Sequence, residues 1–402
     1  MLVYEFKVKA SKAQLRSIDE AIRIGQFIRN KCLRYWLDAP REKKVNRYTL
    51  NKYTKVLSEA PASPFVAALN SMARQAAAER AWASISRFYD NCKKIETRHG
   101  ASVQGKKGFP KFKKNCRSVE YKTSGWKLSD NRKYLTITDK TGIGRLKLVG
   151  TRDLHFYQQS QIKRIRLIRR TDAYYAQFCI DVERRESVDT STSLGVKQIN
   201  RQIGLDVGLN YFYTDSDGNQ VNNPRFLRKS EKKLKRLQRR LSKCTKGSQN
   251  RKKVQHRLGR QHLKVSRQRK DFAVKLARCV MKSNDFVAIE DLNVRGLVKN
   301  HKLAKSISDA GWTIFREWLE YFANLFGREL VAINPSFTSQ DCSCCGARVK
   351  KSLSTRTHVC SCGAVLDRDW NAAINILIKA LDSVGHTRIS QEYWVNASGQ
   401  LA

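Results

Sequence analysis

Acidic residues are scarce in this chain. Its 402 residues carry 35 Asp and Glu against 79 Lys and Arg, a net charge of +44. A chain so charged repels itself until a polyanion neutralises it, so a nucleic acid is the expected partner. Long apolar runs are also missing. No segment approaches the ~20 apolar residues of a bilayer span, so a membrane partner is not expected. The opening stretch, MLVYEFKVKASK, alternates like a strand and holds no signal-peptide core. No internal repeat is present. Nor is there a disulfide framework: the cysteines number eleven, and five of them crowd into residues 342–362. That clustering points to a metal site in a reducing cytosol. Hydrophobic residues still make up 41% of the chain, enough for the cores of two or three domains.

The pattern changes several times along the chain. Residues 2–9 alternate as a strand, and Ser11 is placed to cap a following helix whose apolar positions are Leu15, Ile18, Ile22, Phe27 and Trp36. Residues 62–95 read as further helix. GKKGFPKFKK is a basic turn. YLTITD, GRLKLVG, IKRIRLI and YYAQFCIDV read as strands, the last two flanking a hairpin turn at RRTDA. Residues 100–183 therefore read as a small β-barrel to which residues 2–9 add a strand. The Ser/Thr-rich 184–200 segment reads as a linker. RQIGLDVGLNYFYTDSDGNQV then predicts two strands and an Asp217-Gly218 turn. Residues 225–270 hold twenty Lys and Arg and one acid, Glu231. Leu227, Leu234, Leu237 and Leu241, then Val254, Leu258 and Val265, mark two helices with basic outer faces. SNDFVAIEDL and ELVAINP read as strands on either side of the amphipathic helix GWTIFREWLEYFANLF.

Three acids stand out against this basic background. Asp206 lies inside an apolar strand, Glu290 ends another, and Asp369 opens a helix spanning Trp370–Leu381. Singly, each has an ordinary reading: a strand-end turn, an ion pair with the basic helices, a helix N-cap shared with Asp367. Together, strand-Asp, strand-Glu and helix-Asp in that order fit an RNase H-like arrangement. Converging carboxylates repel, and the repulsion is relieved by a raised pKa or by divalent cations. Mg²⁺ prefers carboxylate and water oxygens and leaves room for phosphate. Two such ions activate water and stabilise the leaving oxygen of a phosphodiester.

The cysteines form two turn-bound groups, Cys342-Ser343-Cys344-Cys345-Gly346 and Cys360-Ser361-Cys362-Gly363. Paired thiolates suit tetrahedral Zn²⁺. Cys342, Cys345, Cys360 and Cys362 are the expected ligands of one structural ion. The second pair is one residue short of C-x-x-C, which keeps His358 and Cys344 as alternative donors. Such a closed site would hold Asp369 in place. Arg228, Lys229, Lys232, Lys235, Arg236, Arg239, Lys252, Lys253 and Arg257 are the expected phosphate contacts. Tyr35, Trp36, Phe88, Tyr89, Phe109, Phe112 and Trp126 are candidates for stacking on bases, although core packing is the commoner use of such residues.

GLDVGLN, AIEDLNVRGL, the paired cysteines and CGAVLDRDWNAAINI resemble the TnpB (OrfB) family of transposon-encoded RNA-guided nucleases, relatives of the type V CRISPR effectors. Arg29-Asn30 and GFPKFKK match as well, so the likeness covers nearly the whole chain. It implies an α/β multidomain protein with a RuvC-type (RNase H-like) nuclease domain, a zinc-finger insert and an N-terminal wedge β-barrel carrying a helical recognition insert. The expected segments are wedge at 1–10 and, with the linker, 100–200; recognition helices at 11–99; nuclease at 201–338 and 365–385; zinc insert at 339–364; and a tail at 386–402. The catalytic triad maps onto Asp206, Glu290 and Asp369, with Asp367 as a supporting or capping acid. The implied activity is Mg²⁺-dependent cleavage of double-stranded DNA that pairs with a transposon-derived guide RNA beside a short flanking motif. One protein chain per RNA, in the cytoplasm of a bacterium or archaeon and at its nucleoid, is expected. A transposase acting on its element's ends and a catalytically silent guided binder remain the alternatives.

Overall fold

The computed structural model describes residues 2–40, 42, 44–96, 108–182, 201–352 and 355–385. The linker expected at 184–200 and the tail expected at 386–402 lie outside these. The chain divides into two compact units, Met1–Glu183 and Arg184–Ala402.

In the first unit, strand β1 (Leu2–Lys9) leads into helix α1 (Lys12–Leu37). Ser11 caps that helix as expected, in a reciprocal box with Gln14. Helix α2 (Arg47–Glu59), which the apolar spacing had not signalled, follows from an Asn46 cap. The helix read over 62–95 is broken: a 3₁₀ turn at Pro64–Ala68 and an extended Leu69 precede helix α3 (Ser71–Glu96). Strands β2 (Ser118–Lys122), β3 (Trp126–Leu128), β4 (Tyr134–Ile137), β5 (Arg145–Val149), β6 (Ile162–Arg169) and β7 (Tyr174–Ile180) complete the unit. They pair antiparallel in the order β2-β6-β7-β1-β5-β4-β3, with β1 in the middle. The predicted β6–β7 hairpin closes with Arg170 N–H donating to Ala173 O at 2.9 Å.

The sheet must curl. Its two end strands, β2 and β3, are joined by three residues, Thr123–Gly125. Six flat interstrand steps of ~4.8 Å would part them by about 29 Å, whereas so short a link spans about 14 Å at most. The helices and the sheet share one core, built around Ile18, Ile28, Leu33, Ile85, Tyr121 and Phe178. Two buried carboxylates lie at its edge. Glu120 accepts from Arg164 at 2.8 Å and from Arg166 at 2.8 and 3.0 Å, while Lys122 reaches Glu79 at 2.6 Å.

In the second unit, strands β8 (Gln202–Asp206), β9 (Tyr211–Asp215), β10 (Gln220–Asn222), β11 (Phe286–Glu290) and β12 (Glu329–Ile333) form a sheet in the order β10-β9-β8-β11-β12. The β8-β11 and β11-β12 ladders are parallel, and the other two are antiparallel. Between β10 and β11 run the two basic helices, α4 (Phe226–Lys243) and α5 (Gln249–Ser283). Helices α6 (Val294–Leu297), α7 (Ala304–Ala310) and α8 (Trp312–Phe326) precede β12. A hairpin of β13 (Thr357–Val359) and β14 (Val365–Asp367) leads into helix α9 (Arg368–Ser383).

Side-chain alternation sorts the central strands between two cores. Ile203, Leu205, Val287 and Ile289 pack with Ala277, Phe315 and Leu319 of α5 and α8. On the opposite face, Phe286, Ala288 and Ile333 pack with Ile376, Leu377 and Leu381 of α9. Gly204 lies under α9: a Cβ there would strike the backbone oxygen of Ala373 and sit 2.9 Å from Leu377 Cβ. Gly204→Ala is therefore expected to push α9 off the sheet at about 1–3 kcal/mol, the usual cost of overpacking. A lowered melting temperature would register it, and an unchanged one would contradict so close an approach.

Candidate active site and metal centre

The contact at Gly204 fixes where the acids meet. Ala373 lies over Gly204. Asp369 is one helical turn before Ala373, about 6 Å back along α9. Asp206 is two residues beyond Gly204, about 6.6 Å further along β8 on the same face. The two displacements match, so the first turn of α9 lies over the end of β8. On the neighbouring parallel strand, Leu205 is in register with Ile289. Glu290 thus follows at the level of Asp206 and on the same face.

Electrostatics registers the crowding. Burial first, then Glu290 and Asp369 beside it, hold the Asp206 carboxyl well above the usual carboxylate range, with Arg368 opposing. Burial also raises Glu290, against the hydrogen bond from Thr338 and the charge of Lys379. Burial and Asp367 raise Asp369, against Arg356 and Arg368. Thr338 Oγ1 donates to Glu290 Oε1 at 2.6 Å, and Arg356 Nη1 lies 3.4 Å from Asp369 Oδ2. Glu290 is thus not paired with the basic helices. Asp206 has no hydrogen bond or ion pair among the described residues. A desolvated, unpartnered carboxylate raised by two others has the oxygen chemistry that a hard divalent cation takes, although among the described residues only the four cysteines described below have ligand atoms all within 4.8 Å of one another.

The first turn of α9 is held from several sides. Asp367 caps the helix, accepting from Asp369 N–H at 2.9 Å and Trp370 N–H at 3.2 Å. The helix thus begins two residues earlier than the apolar pattern alone marks. Trp370 Nε1 donates to Ser216 O at 2.9 Å, and its ring covers the turn at Gly218, where φ is +84°. Asn371 Nδ2 donates to Asp341 O at 2.9 Å while its Oδ1 accepts from Ser343 N–H at 3.0 Å. Asn375 Nδ2 reaches Thr338 O at 2.8 Å and Asp341 O at 2.6 Å. These side chains tie the acidic helix to the cysteine-bearing loop. Sequence reasoning had passed over Thr338, Arg356, Asn371 and Asn375; the only signal was two Asn recurring at helical spacing behind Asp369.

Cys342, Cys345, Cys360 and Cys362 converge, with all four sulfurs within 4.8 Å of one another. Cys342 and Cys362 are 3.7 Å apart, and Cys345 and Cys360 3.6 Å. Four thiolates ~2.3 Å from a tetrahedral zinc would stand about 3.8 Å apart, so the cluster has the size such an ion requires. Cys344 and His358 are not among the four. His358 is buried beside Lys351 instead.

The nine expected phosphate contacts on α4 and α5, Arg228 to Arg257, are all exposed. Lys235 alone among them has an ion pair within the described residues, to Glu231 at 2.8 Å. Leu234, Val254 and Val265 are buried on the inner faces. The start of α4 is fixed from a distance. Asp309 of α7 accepts from Leu227 N–H at 2.9 Å and from Arg269 at 2.7 Å.

The raised Asp206 carboxyl has a consequence for stability. Folded, metal-free protein holds that proton more tightly than the unfolded chain, whose carboxyl titrates near 3.8. Stability is then greatest below that value and falls as pH rises through the folded one. Asp206→Asn removes the loss. In EDTA at neutral pH the variant is expected to melt above the parent, and a parent melting at or above the variant would refute the crowding.

Two sequence families match the chain: OrfB_IS605, described as "Probable transposase", over residues 177–301, and "Cas12f1-like, TNB domain" over residues 312–376. A protein of Streptomyces pristinaespiralis named "Putative RNA-guided DNA endonuclease" is 45% identical over 181 residues, covering 44% of this chain and 45% of that protein. The match therefore spans less than half of that relative's length. "Putative RNA-guided DNA endonuclease InsQ" of Escherichia coli K12 is 27% identical over 303 residues, 71% of this chain and 72% of that protein. Among solved structures, the Cas12f1–sgRNA–target DNA complex superposes with a TM-score of 0.53 at 15% identity, covering 90% of this chain and 82% of the other. The mini RNA-guided endonuclease Cas_phi3 gives 0.51 at 10% identity, covering 94% and 92%. These last two establish likeness of fold. Both family matches, which together span less than half of the chain, and the run of similarly named relatives support a TnpB (OrfB) family protein.

Proposed function

We propose that this protein is an RNA-guided, magnesium-dependent endonuclease that cleaves double-stranded DNA pairing with its guide RNA beside a short flanking motif. The observation that carries the reading is the convergence of Asp206, Glu290 and Asp369 on the α9 face of the sheet. The parallel β8-β11-β12 core, with antiparallel β9 and β10 beside it, supports a RuvC-type, RNase H-like domain. The curled first-unit sheet supports a wedge barrel at 1–10 and 100–200, with recognition helices inserted at 11–99. The names of the relatives and the contents of the Cas12f1 complex support guide RNA and target DNA as partners. One chain per RNA, at the nucleoid of a bacterial or archaeal cell, completes the proposal; no helix among the described residues is long and apolar enough to cross a membrane.

In this reading Asp206, Glu290 and Asp369 are the catalytic carboxylates. Two magnesium ions bound there would supply the water activation and leaving-group stabilisation of phosphodiester hydrolysis. Thr338 aims Glu290. Arg356, whose guanidinium already faces Asp369, neutralises charge at the edge of the site. Asp367, Trp370, Asn371 and Asn375 hold the helix that carries Asp369. The four cysteines bind one structural zinc ion, and the nine exposed cations of α4 and α5 bind phosphates.

The test begins with sequencing the RNA that copurifies with the protein. A single abundant RNA from the 3′ end of the gene or beyond it is expected. With that RNA, plasmid DNA bearing the matching sequence should be cut in Mg²⁺, and Asp206→Ala should abolish cutting while leaving binding intact. Cutting of the element's ends without RNA would favour a transposase instead. Binding without cutting by the parent would leave a silent guided binder.

For the zinc site, Cys345→Ser is expected to abolish stoichiometric zinc in elemental analysis and to lower the melting temperature. Full zinc retention by the variant would remove Cys345 from the ligand set.

A further inference from the structure

The first unit carries a surface that the proposed chemistry does not use. A groove of about 480 Å³ runs along one face of α1, lined by Arg23, Gln26, Phe27, Asn30, Arg34 and Phe112, with Lys31 among them. The α1 residues recur at spacings of three and four, so they form one stripe. The facing wall is Phe112, from the GFPKFKK turn. Phe112 is 43% exposed. Its guanidinium neighbour Arg34 lies 5.5 Å from the ring centre, and Lys31 lies at the same distance from the Phe27 ring.

Phe112 is held in this position. Asn30 grips the loop at both ends of its amide, donating to Lys113 O at 2.8 Å and accepting from Lys113 N–H at 2.9 Å. Gln26 Oε1 accepts from Cys116 N–H at 2.7 Å, and buried Arg29 donates to Lys111 O at 3.3 Å. The loop backbone on either side of Phe112 is thus riveted to α1. A free ring would gain about 1.5–3 kcal/mol by burial, yet this one is fixed facing solvent between cations. Lys111, Lys113 and Lys114 are exposed on the same loop.

Rigid, exposed rings interleaved with cations make a platform for stacked bases and their phosphates. We infer that this groove binds unpaired nucleotides of a polynucleotide, with Phe112 stacking on a base and Lys31 and Arg34 meeting phosphate; the inference rests on the nucleic-acid reading above. Six cations, Arg23, Lys31, Arg34 and the three loop lysines, outnumber the two carboxylates paired with the stripe, Glu20 and Asp38. That balance favours a polyanion over an acid-poor protein surface.

The test uses the full-length chain freed of copurifying RNA, with fluorescent 20-mers of oligo(dT) and oligo(U) and 5-iodouracil versions of each for photocrosslinking. Phe112→Ala is expected to weaken binding about 5- to 150-fold, the ~1–3 kcal/mol per stacked base, without changing the salt slope. Phe112→Trp should restore it and Phe112→Leu should not. Lys31→Gln should reduce the salt slope by about 0.7, one phosphate on a single strand. Crosslinks should map to the peptide holding Phe112, and the stronger of the two arms identifies DNA or RNA as the source. Binding by Phe112→Ala equal to the parent, or rescue by Phe112→Leu, overturns the inference. If Lys232→Gln with Arg236→Gln weakens binding in that case, the nucleic-acid reading stands and the groove alone falls. If the parent binds neither oligonucleotide, both fall.

Discussion

Helix α9 can approach β8 as it does because residue 204 has no side chain. Any Cβ there would meet the helix backbone, and the helix would have to ride higher on the sheet. With glycine, the first turn of α9 comes down over the end of β8 and brings Asp369 to Asp206. Apolar contacts further along, Ile376 and Leu377 against Phe286 and Ala288, supply the attraction. The charged end of the same interface supplies repulsion. The acids are held near one another by packing they do not contribute to.

The rest of the acid supply is used sparingly. In the first unit Glu120 and Glu79 are buried and surrounded by arginine and lysine, and Asp309 in the second binds Arg269. Each joins elements distant in sequence. Because carboxylates are few, the outward faces of α4 and α5 carry cations with little internal compensation. The cationic outer surface and the interior that holds the molecule together thus follow from one composition.

What was legible beforehand was local. Alternation located β1 and β4 to β9, Ser11 and Asp367 announced their caps through chemistry that acts over two or three residues, and the leucine and valine stripes gave α4 and α5. The spacing of the cysteines put forward the four that meet but left Cys344 and His358 open as alternatives. The elements missed were those with weak local signal: α2, the short helices α6 and α7, and the short strands β2, β3, β10, β13 and β14, whose places depend on partners that only the fold supplies. Within the site, Asp206 and Glu290 could be named because a charged residue in or closing an apolar run is conspicuous, and Asp369, at the opening of a helix, could be chosen over Asp367 through the family resemblance. Thr338, Arg356, Asn371 and Asn375 could not, because their roles consist of hydrogen bonds and ion pairs to residues that only the fold brings near.

The start of α4 carries an implication for how the protein is made. Most helices find an acceptor for their first amides within a few residues, but Leu227 and Arg228 use Asp309, about eighty positions later. A ribosome must therefore finish α5, β11 and α7 before this cationic helix has its cap. During that interval the nascent segment is a polycation with an unsecured beginning, and a polyanion that reaches it then meets a different surface from the one the finished protein presents.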